Sequence, residues 1–140
     1  QDEFSLIIPK SHPFASKKQI TKEDLYHLNF ITLNSNSTIR KFIDNILSQN
    51  QIETKQLKII MQLNSIEGIK TAVSLGLGAA FVSSSAIEKE IELKTIEIVK
   101  IEKIQITRTL SIISNPECYK SKAFEFFYRE LLNLKNTIEK

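Results

Sequence analysis

The sequence predicts a Rossmann-like α/β fold, and three observations carry that prediction. The stretch Lys58–Glu90 reads strand, helix, strand, helix in unbroken order. Its two strand candidates, Lys58–Leu63 and Ala79–Val82, are short, uniformly apolar runs. Strands of that kind are usually covered on both faces, which predicts a parallel sheet with helices on either side. Both runs end in small polar residues, Asn64 and Ser65 after the first and Ser83, Ser84 and Ser85 after the second. In open α/β sheets ligands bind outside the carboxyl ends of the strands.

Within the central stretch, Asn64 or Ser65 can cap a helix whose apolar stripe is Ile66, Ile69, Ala72 and Val73. Gly76 and Gly78 bracket its exit. Upstream, Phe4–Ile8 is a strand candidate closed by Pro9, which cannot donate to a ladder. The segment 10–21 is a loop in which Pro13 biases His12 toward an extended backbone. Glu23–Leu28 fits one or two helical turns, and Phe30–Leu33 a second short strand. A polar turn, Asn34 to Ser37, leads into a helix over Thr38–Gln49 with Ile39, Phe42, Ile43, Ile46 and Leu47 on one face. Downstream, a helix begins near Ser85 and a strand is predicted over Thr95–Val99. Another is predicted over Arg108–Ser114, ended by Asn115 and Pro116. Ser121 to about Lys135 is a clear amphipathic helix carrying Phe124, Phe127, Tyr128, Leu131 and Leu134.

With 140 residues, 41% of them hydrophobic, the chain is long enough for one ordinary core. A formal charge of +3 is mild, and no run of adjacent basic residues exceeds Lys17–Lys18, so direct contact with nucleic acid has little support. A single cysteine, Cys118, excludes an internal disulfide framework and fits a reducing compartment. No apolar run approaches membrane-spanning length. The start, Gln1 to Phe4, lacks a methionine and a signal-peptide pattern, so the chain is expected to begin inside a longer protein. Isoleucine, lysine and asparagine are abundant, as an AT-rich coding genome produces.

The sequence assembles no catalytic or metal-binding constellation. His12 and His27 have no partner at ligand spacing. No G-x-S-x-G elbow surrounds Ser83–Ser85. Gly76-Leu77-Gly78 fails the dinucleotide fingerprint because Phe81 stands where its last glycine belongs. Gly76 is expected to end a helix and Gly78 to admit close strand entry. Asp24 and Asp44 read as single surface acids, and Arg40 as a solvated helix residue that can reach an anion. No enzyme activity and no cofactor are expected. Three strand-to-helix junctions do collect short polar groups: Asn34–Thr38, Asn64–Ser65 and Ser83–Ser85. Helix N-termini offer unsatisfied N–H groups to anions, so the junctions read either as a site for a small anionic metabolite or as ordinary capped helix starts.

Read whole, the chain resembles the effector-binding region of LysR-type transcriptional regulators. The resemblance rests on Leu6–Pro9 with His12-Pro13; Asp24-Leu25 leading to Phe30-Ile31; Arg40 with Ile43-Asp44; Glu67, Ile69-Lys70 and Ala72-Val73 leading to Gly76-Leu77-Gly78; and Phe81-Val82-Ser83. Within that family the segments from Leu63 to Glu90 and from Arg108 to Leu131 are most similar to plastid and cyanobacterial regulators of the RuBisCO operon. The resemblance implies a subdomain of the type II periplasmic-binding-protein kind with crossover strands and a C-terminal helix. The second subdomain would span about 10–110, and the crossover strand and helix about 108–136. It implies effector contacts at Asn36, Ser37, Thr38, Asn64, Ser65, Ile66 and Ser83. It also implies a dimer or tetramer that meets DNA only through an N-terminal domain, activates RuBisCO or carbon-assimilation genes, and works in an algal plastid stroma or a bacterial cytoplasm. The first subdomain would form the other wall of the cleft and cover the helix from Ser121. In its absence, Phe124, Phe127 and Leu131 are expected to be partly exposed, with the helix folding back or meeting a second copy. The alternative is a periplasmic-type small-molecule binding protein with no DNA-binding role.

Overall fold

The computed structural model describes residues 2–115, 117 and 119–138. Cys118 and Pro116 lie outside the described residues, as do the side chains of 134–138, Leu134 among them. The chain forms two compact units, Gln1–Leu110 and Ser111–Lys140.

The first unit is built on β1 (Asp2–Pro9), whose Leu6, Ile7 and Ile8 are all buried. Alternate residues of a strand face opposite ways, so a run apolar at every position must be covered on both sides. Phe4, Leu6 and Ile8 join one cluster with Phe30, Leu47, Val99 and Ile106. Ile7 joins the other with Ile31, Ile69, Val73, Val82 and Ile96. β1 pairs antiparallel with β5 (Ala80–Ser83), β6 (Ile96–Ile101) and β7 (Ile106–Arg108), while the two-residue β2 (Gln19–Ile20) runs parallel to β6. A turn with Lys103 at φ 59 links β6 to β7.

β3 (Asn29–Leu33) and β4 (Lys58–Leu63) form a parallel pair around α2 (Thr38–Gln49). A parallel bridge from Phe30 to Ala79 joins this pair to the start of β5. It is held by Ile31 N–H donating to the Ala79 carbonyl and Ala79 N–H to the Asn29 carbonyl, both at 2.8 Å. The expected parallel sheet is therefore corrected to a mixed one. Apolar runs signal cover on both faces, which a central antiparallel strand such as β1 has as fully as a parallel one. The expected double-sided cover of Lys58–Leu63 also fails. β4 lies at an edge, with Lys58, Ile60 and Gln62 exposed and the residues between them half-buried.

The short α1 (Lys22–Leu25) starts with a capping box between Thr21 and Asp24. Asp24 is thus a capping residue and not the lone surface acid expected. Hydrogen bonding from Thr21 N–H is the main cause holding its carboxyl below the usual carboxylate range. α3 (Ile66–Ser74) buries Ile69, Lys70, Ala72 and Val73 and ends in a Schellman motif. Leu77 N–H reaches the Ala72 carbonyl and Gly76 N–H the Val73 carbonyl, with Gly76 at φ 84. At Gly78 a Cβ would stand 2.6 Å from the Asn29 carbonyl oxygen, so the close strand entry read from the sequence holds.

The helix expected near Ser85 is broken into a 3-10 turn (Ser84–Ala86) and α4 (Glu88–Glu92). The strand expected over Arg108–Ser114 ends at Arg108, where β7 pairs with Asp2. The stretch 109–115 has no regular structure, because no described strand lies opposite it to supply hydrogen bonds. The second unit contains α5 (Lys122–Ile138). Ser121 Oγ accepts from Phe124 N–H at 3.2 Å to open it, and Phe124 stacks on Tyr128. Phe127 is 61% exposed, while Phe124 and Leu131 are intermediate.

Candidate functional site

Because β3, β4 and the entry to β5 run the same way, their carboxyl ends lie along one edge. The junctions 34–37, 64–65 and 83–85 follow those ends. The first two are tied directly, Asn34 Nδ2 donating to Asn64 Oδ1. Of the residues expected to contact a ligand, Asn36, Thr38, Asn64 and Ser65 are exposed, and Ser37, Ile66 and Ser83 are half-buried.

The three serines behave differently. Ser37 caps α2, accepting from Arg40 N–H at 3.4 Å, and Ser65 caps α3, accepting from Gly68 N–H at 3.3 Å. Each leaves its own hydroxyl proton free of that bond, since a capping oxygen acts as acceptor. Ser83 does not cap, which corrects that part of the expectation for Ser83–Ser85. Its Oγ donates to Asp2 Oδ1 at 2.5 Å and lies 2.9 Å from Ser85 Oγ. A hydroxyl has one proton, so Ser85 is the donor in the second bond.

Arg40 is not the solvated residue expected. Its side chain is 12% exposed, and Nε faces both oxygens of Asp44 at 2.7 and 2.8 Å. Nη1 donates to Thr32 Oγ1 at 2.5 Å. Asp44 accordingly has a cationic partner. The four-residue spacing of Arg40 and Asp44 was the available signal, since such residues face each other on a helix. These groups rim a cavity of about 30 Å³ between α2 and the β3–β4 pair, lined also by Ile43, Leu57 and Phe81. That is too small to enclose a metabolite.

Two further residues of this edge gave no local sign in the sequence. Arg108 holds Asp2 through Nε at 2.8 Å and Nη2 at 2.7 Å, and its guanidinium lies 4.9 Å from the centre of the Phe4 ring. The side chains of Asp2 and Arg108 are 10% and 32% exposed. Among the described residues no group of three or more His, Cys, Asp or Glu is placed to hold a metal ion, and no helix is long and apolar enough to cross a membrane.

The family model of the LysR substrate binding domain matches residues 1–135. The chain belongs to that family. The LysR domain is 86% identical over 139 residues to a probable RuBisCO transcriptional regulator of Phaeodactylum tricornutum, a match covering 99% of this chain and 45% of the relative. It is 58% identical over 132 residues to a probable RuBisCO transcriptional regulator of Synechocystis, covering 94% of this chain and 38% of the relative. The domain thus spans less than half the length of these relatives. Among solved structures it is similar to the Synechocystis PCC6803 CcmR regulatory domain in complex with 2-PG. The TM-score is 0.77 at 19% identity, covering 95% of this chain and 62% of that one. The QuiR effector-binding domain in complex with shikimate gives a TM-score of 0.69 at 17% identity, covering 91% and 58%. At these identities the likeness shows the fold, an α/β subdomain of the type II periplasmic-binding-protein kind.

Proposed function

We propose that this chain is the effector-sensing part of a LysR-type DNA-binding regulator of RuBisCO or carbon-assimilation genes. In this reading the second subdomain spans about 10–110, with a crossover strand and C-terminal helix over about 108–136. A small anionic metabolite binds over the carboxyl ends of β3, β4 and β5, contacting Asn36, Ser37, Thr38, Asn64, Ser65, Ile66 and Ser83. The effector favours one closure of the two-lobed module, and that shift alters how neighbouring subunits pack. The full protein works as a homo-oligomer, meets DNA through a separate domain and acts without enzymatic turnover. Its place is the plastid stroma of an alga, consistent with relatives from algae and a cyanobacterium.

The observation that carries this reading is the alignment of three polar junctions along one edge, two of them opening helices whose N–H groups suit an anion. The 2-PG bound by the CcmR regulatory domain, which shares this fold, is an anion and supplies the probe. The test is calorimetric titration of the full-length protein with 2-PG. Ser65→Ala and Ser83→Ala should each weaken binding by roughly 1–3 kcal/mol, the cost of removing a desolvated donor. Ser65→Asp keeps the cap but adds a negative charge, so it should retain stability and abolish binding. Unchanged affinity in all three variants, with stability lowered in Ser65→Ala and retained in Ser65→Asp, leaves the junctions with structural roles and nothing more.

A further inference from the structure

The carboxylate of Asp2 is held as a bound anion would be. Ser83 Oγ donates to its Oδ1 at 2.5 Å, and the Arg108 guanidinium grips its Oδ2 through two nitrogens at 2.7 and 2.8 Å. The Phe4 ring, 4.9 Å from that guanidinium, helps fix its plane. These donors lie at the carboxyl end of β5, on the edge where the polar junctions gather. A neutral hydroxyl, a cation and an aromatic platform together make a recognition set for a carboxylate or phosphate group. The cation is half of a cross-strand pair, Asp2 opposite Arg108.

We propose that Arg108 is an anion-binding residue of the effector site and that Asp2 is its internal placeholder. This rests on the reading above that the edge binds an anionic metabolite. Ser83 has one proton to donate, and in this structure Asp2 receives it. An anion that takes the proton therefore competes with Asp2 for Ser83 and, at the same position, for Arg108. The incoming group replaces the Asp2 carboxylate between the two donors, and Asp2 turns away from them. The exchange also removes the side-chain clasp between the start of β1 and the end of β7. Ligand binding is thereby linked to the pairing of these two strands.

Opposite charge changes at the clasp separate this role from a structural one. The full-length protein is titrated with 2-PG by calorimetry, as wild type, Asp2→Asn, Arg108→Gln and Arg108→Lys, with thermal unfolding followed for each. Arg108→Gln should weaken binding about tenfold or more, as loss of a charge-assisted contact does. Arg108→Lys should recover part of that loss. Asp2→Asn should tighten binding about fivefold, because a competing negative charge is gone. A merely structural clasp predicts weaker binding in both Asp2→Asn and Arg108→Gln, and that result overturns the proposal. So does unchanged affinity in Arg108→Gln. In either case, if wild type binds 2-PG and Ser65→Ala weakens it, the anion site itself stands. A wild type that binds no 2-PG overturns the proposal together with the reading it rests on.

Discussion

The ammonium of Lys70 on α3 lies 3.2 Å from Glu90 Oε1 on α4, and both side chains are nearly buried, 7% and 14% exposed. Lys70 Nζ also donates to the Ala86 carbonyl at 2.7 Å and meets the exposed Glu67 at 2.8 Å. One cation therefore ties α3, opened by Ser65, to the turn that follows Ser83. Among the described residues Glu90 Oε2 is buried with no hydrogen-bond partner, and Lys70 is the charge that compensates that carboxylate.

Removing Lys70 should expose that dependence. Lys70→Met leaves the Glu90 carboxylate buried without a countercharge, a change that costs about 3 kcal/mol. The double variant Lys70→Met with Glu90→Met should cost clearly less than Lys70→Met alone, because no unpaired charge remains. Urea unfolding of the wild type, Lys70→Met, Glu90→Met and the double variant gives the comparison. Equal losses in the single and double variants would count against the ion pair. The pH dependence has a definite sign. The hydrogen bond to Glu67, with help from Glu90, outweighs desolvation and raises the Lys70 pKa above 10.5. Its contribution to stability is complete below pH 10.5 and is lost as pH rises through the higher folded value.

Helix ends supply a second test. Three helices close with the same Schellman pattern, in which the residue after the C-cap has positive φ. That residue is Gln51 at φ 64 after α2, Gly76 at φ 84 after α3 and Lys94 at φ 55 after α4. The partner bonds are Ile52 N–H to the Leu47 carbonyl, Leu77 N–H to Ala72 and Thr95 N–H to Glu90. A side chain at such a position costs about 1 kcal/mol. Gln51→Gly and Lys94→Gly should each raise stability by up to about 1 kcal/mol, and Gly76→Ala should lower it by a similar amount. Gly78→Ala should lose more, since its Cβ meets the Asn29 carbonyl at the bridge between β3 and β5. Thermal denaturation would contradict the assignment if Gly76→Ala proved the more damaging of the two glycine changes.

Local signals carried most of the elements. Thr38–Gln49 and Lys58–Leu63 have the same bounds in the sequence reading and in the structure, because each is framed by polar breakers. The capped helix starts were legible only as junctions, Asn34–Thr38 and Asn64–Ser65; the structure puts the caps at Ser37 and Ser65, each bonded three residues ahead. Pairing was not. Nothing local in Phe4–Ile8 or Ala79–Val82 reports that β1 and β5 run antiparallel. The partner of Ser83 lies 81 residues away at Asp2, and the partner of Asp2 lies 106 residues away at Arg108. The burial of Arg40 depends on Thr32 of β3 as well as on its helix neighbour Asp44. The edge was therefore readable as three separate polar junctions, while the Asp2–Arg108 pair that lies on it was not.

His12 and Asp24 give the first unit two acid-sensitive caps with separable pH windows. His12 Nδ1 accepts from Phe14 N–H at 3.1 Å, with the Phe14 ring packed edge-on at 5.1 Å. Burial lowers its pKa below 6.5, so the neutral, accepting form is the one the fold favours. Below pH 6.5 the unfolded chain takes up a proton that the folded chain resists. Stability is therefore complete above pH 6.5 and falls as pH drops toward the depressed folded value. Asp24, held down chiefly by the Thr21 backbone bond, adds its loss only below pH 3.8. His12→Asn keeps a capping acceptor without a titrating ring, so it should flatten the stability profile just below pH 6.5 and leave the acid limb below pH 3.8 in place. Asp24→Asn should do the reverse. Urea midpoints recorded from pH 8 to pH 3 on the wild type and both variants resolve the two windows. A slope below pH 6.5 that persists unchanged in His12→Asn would assign that window to another group.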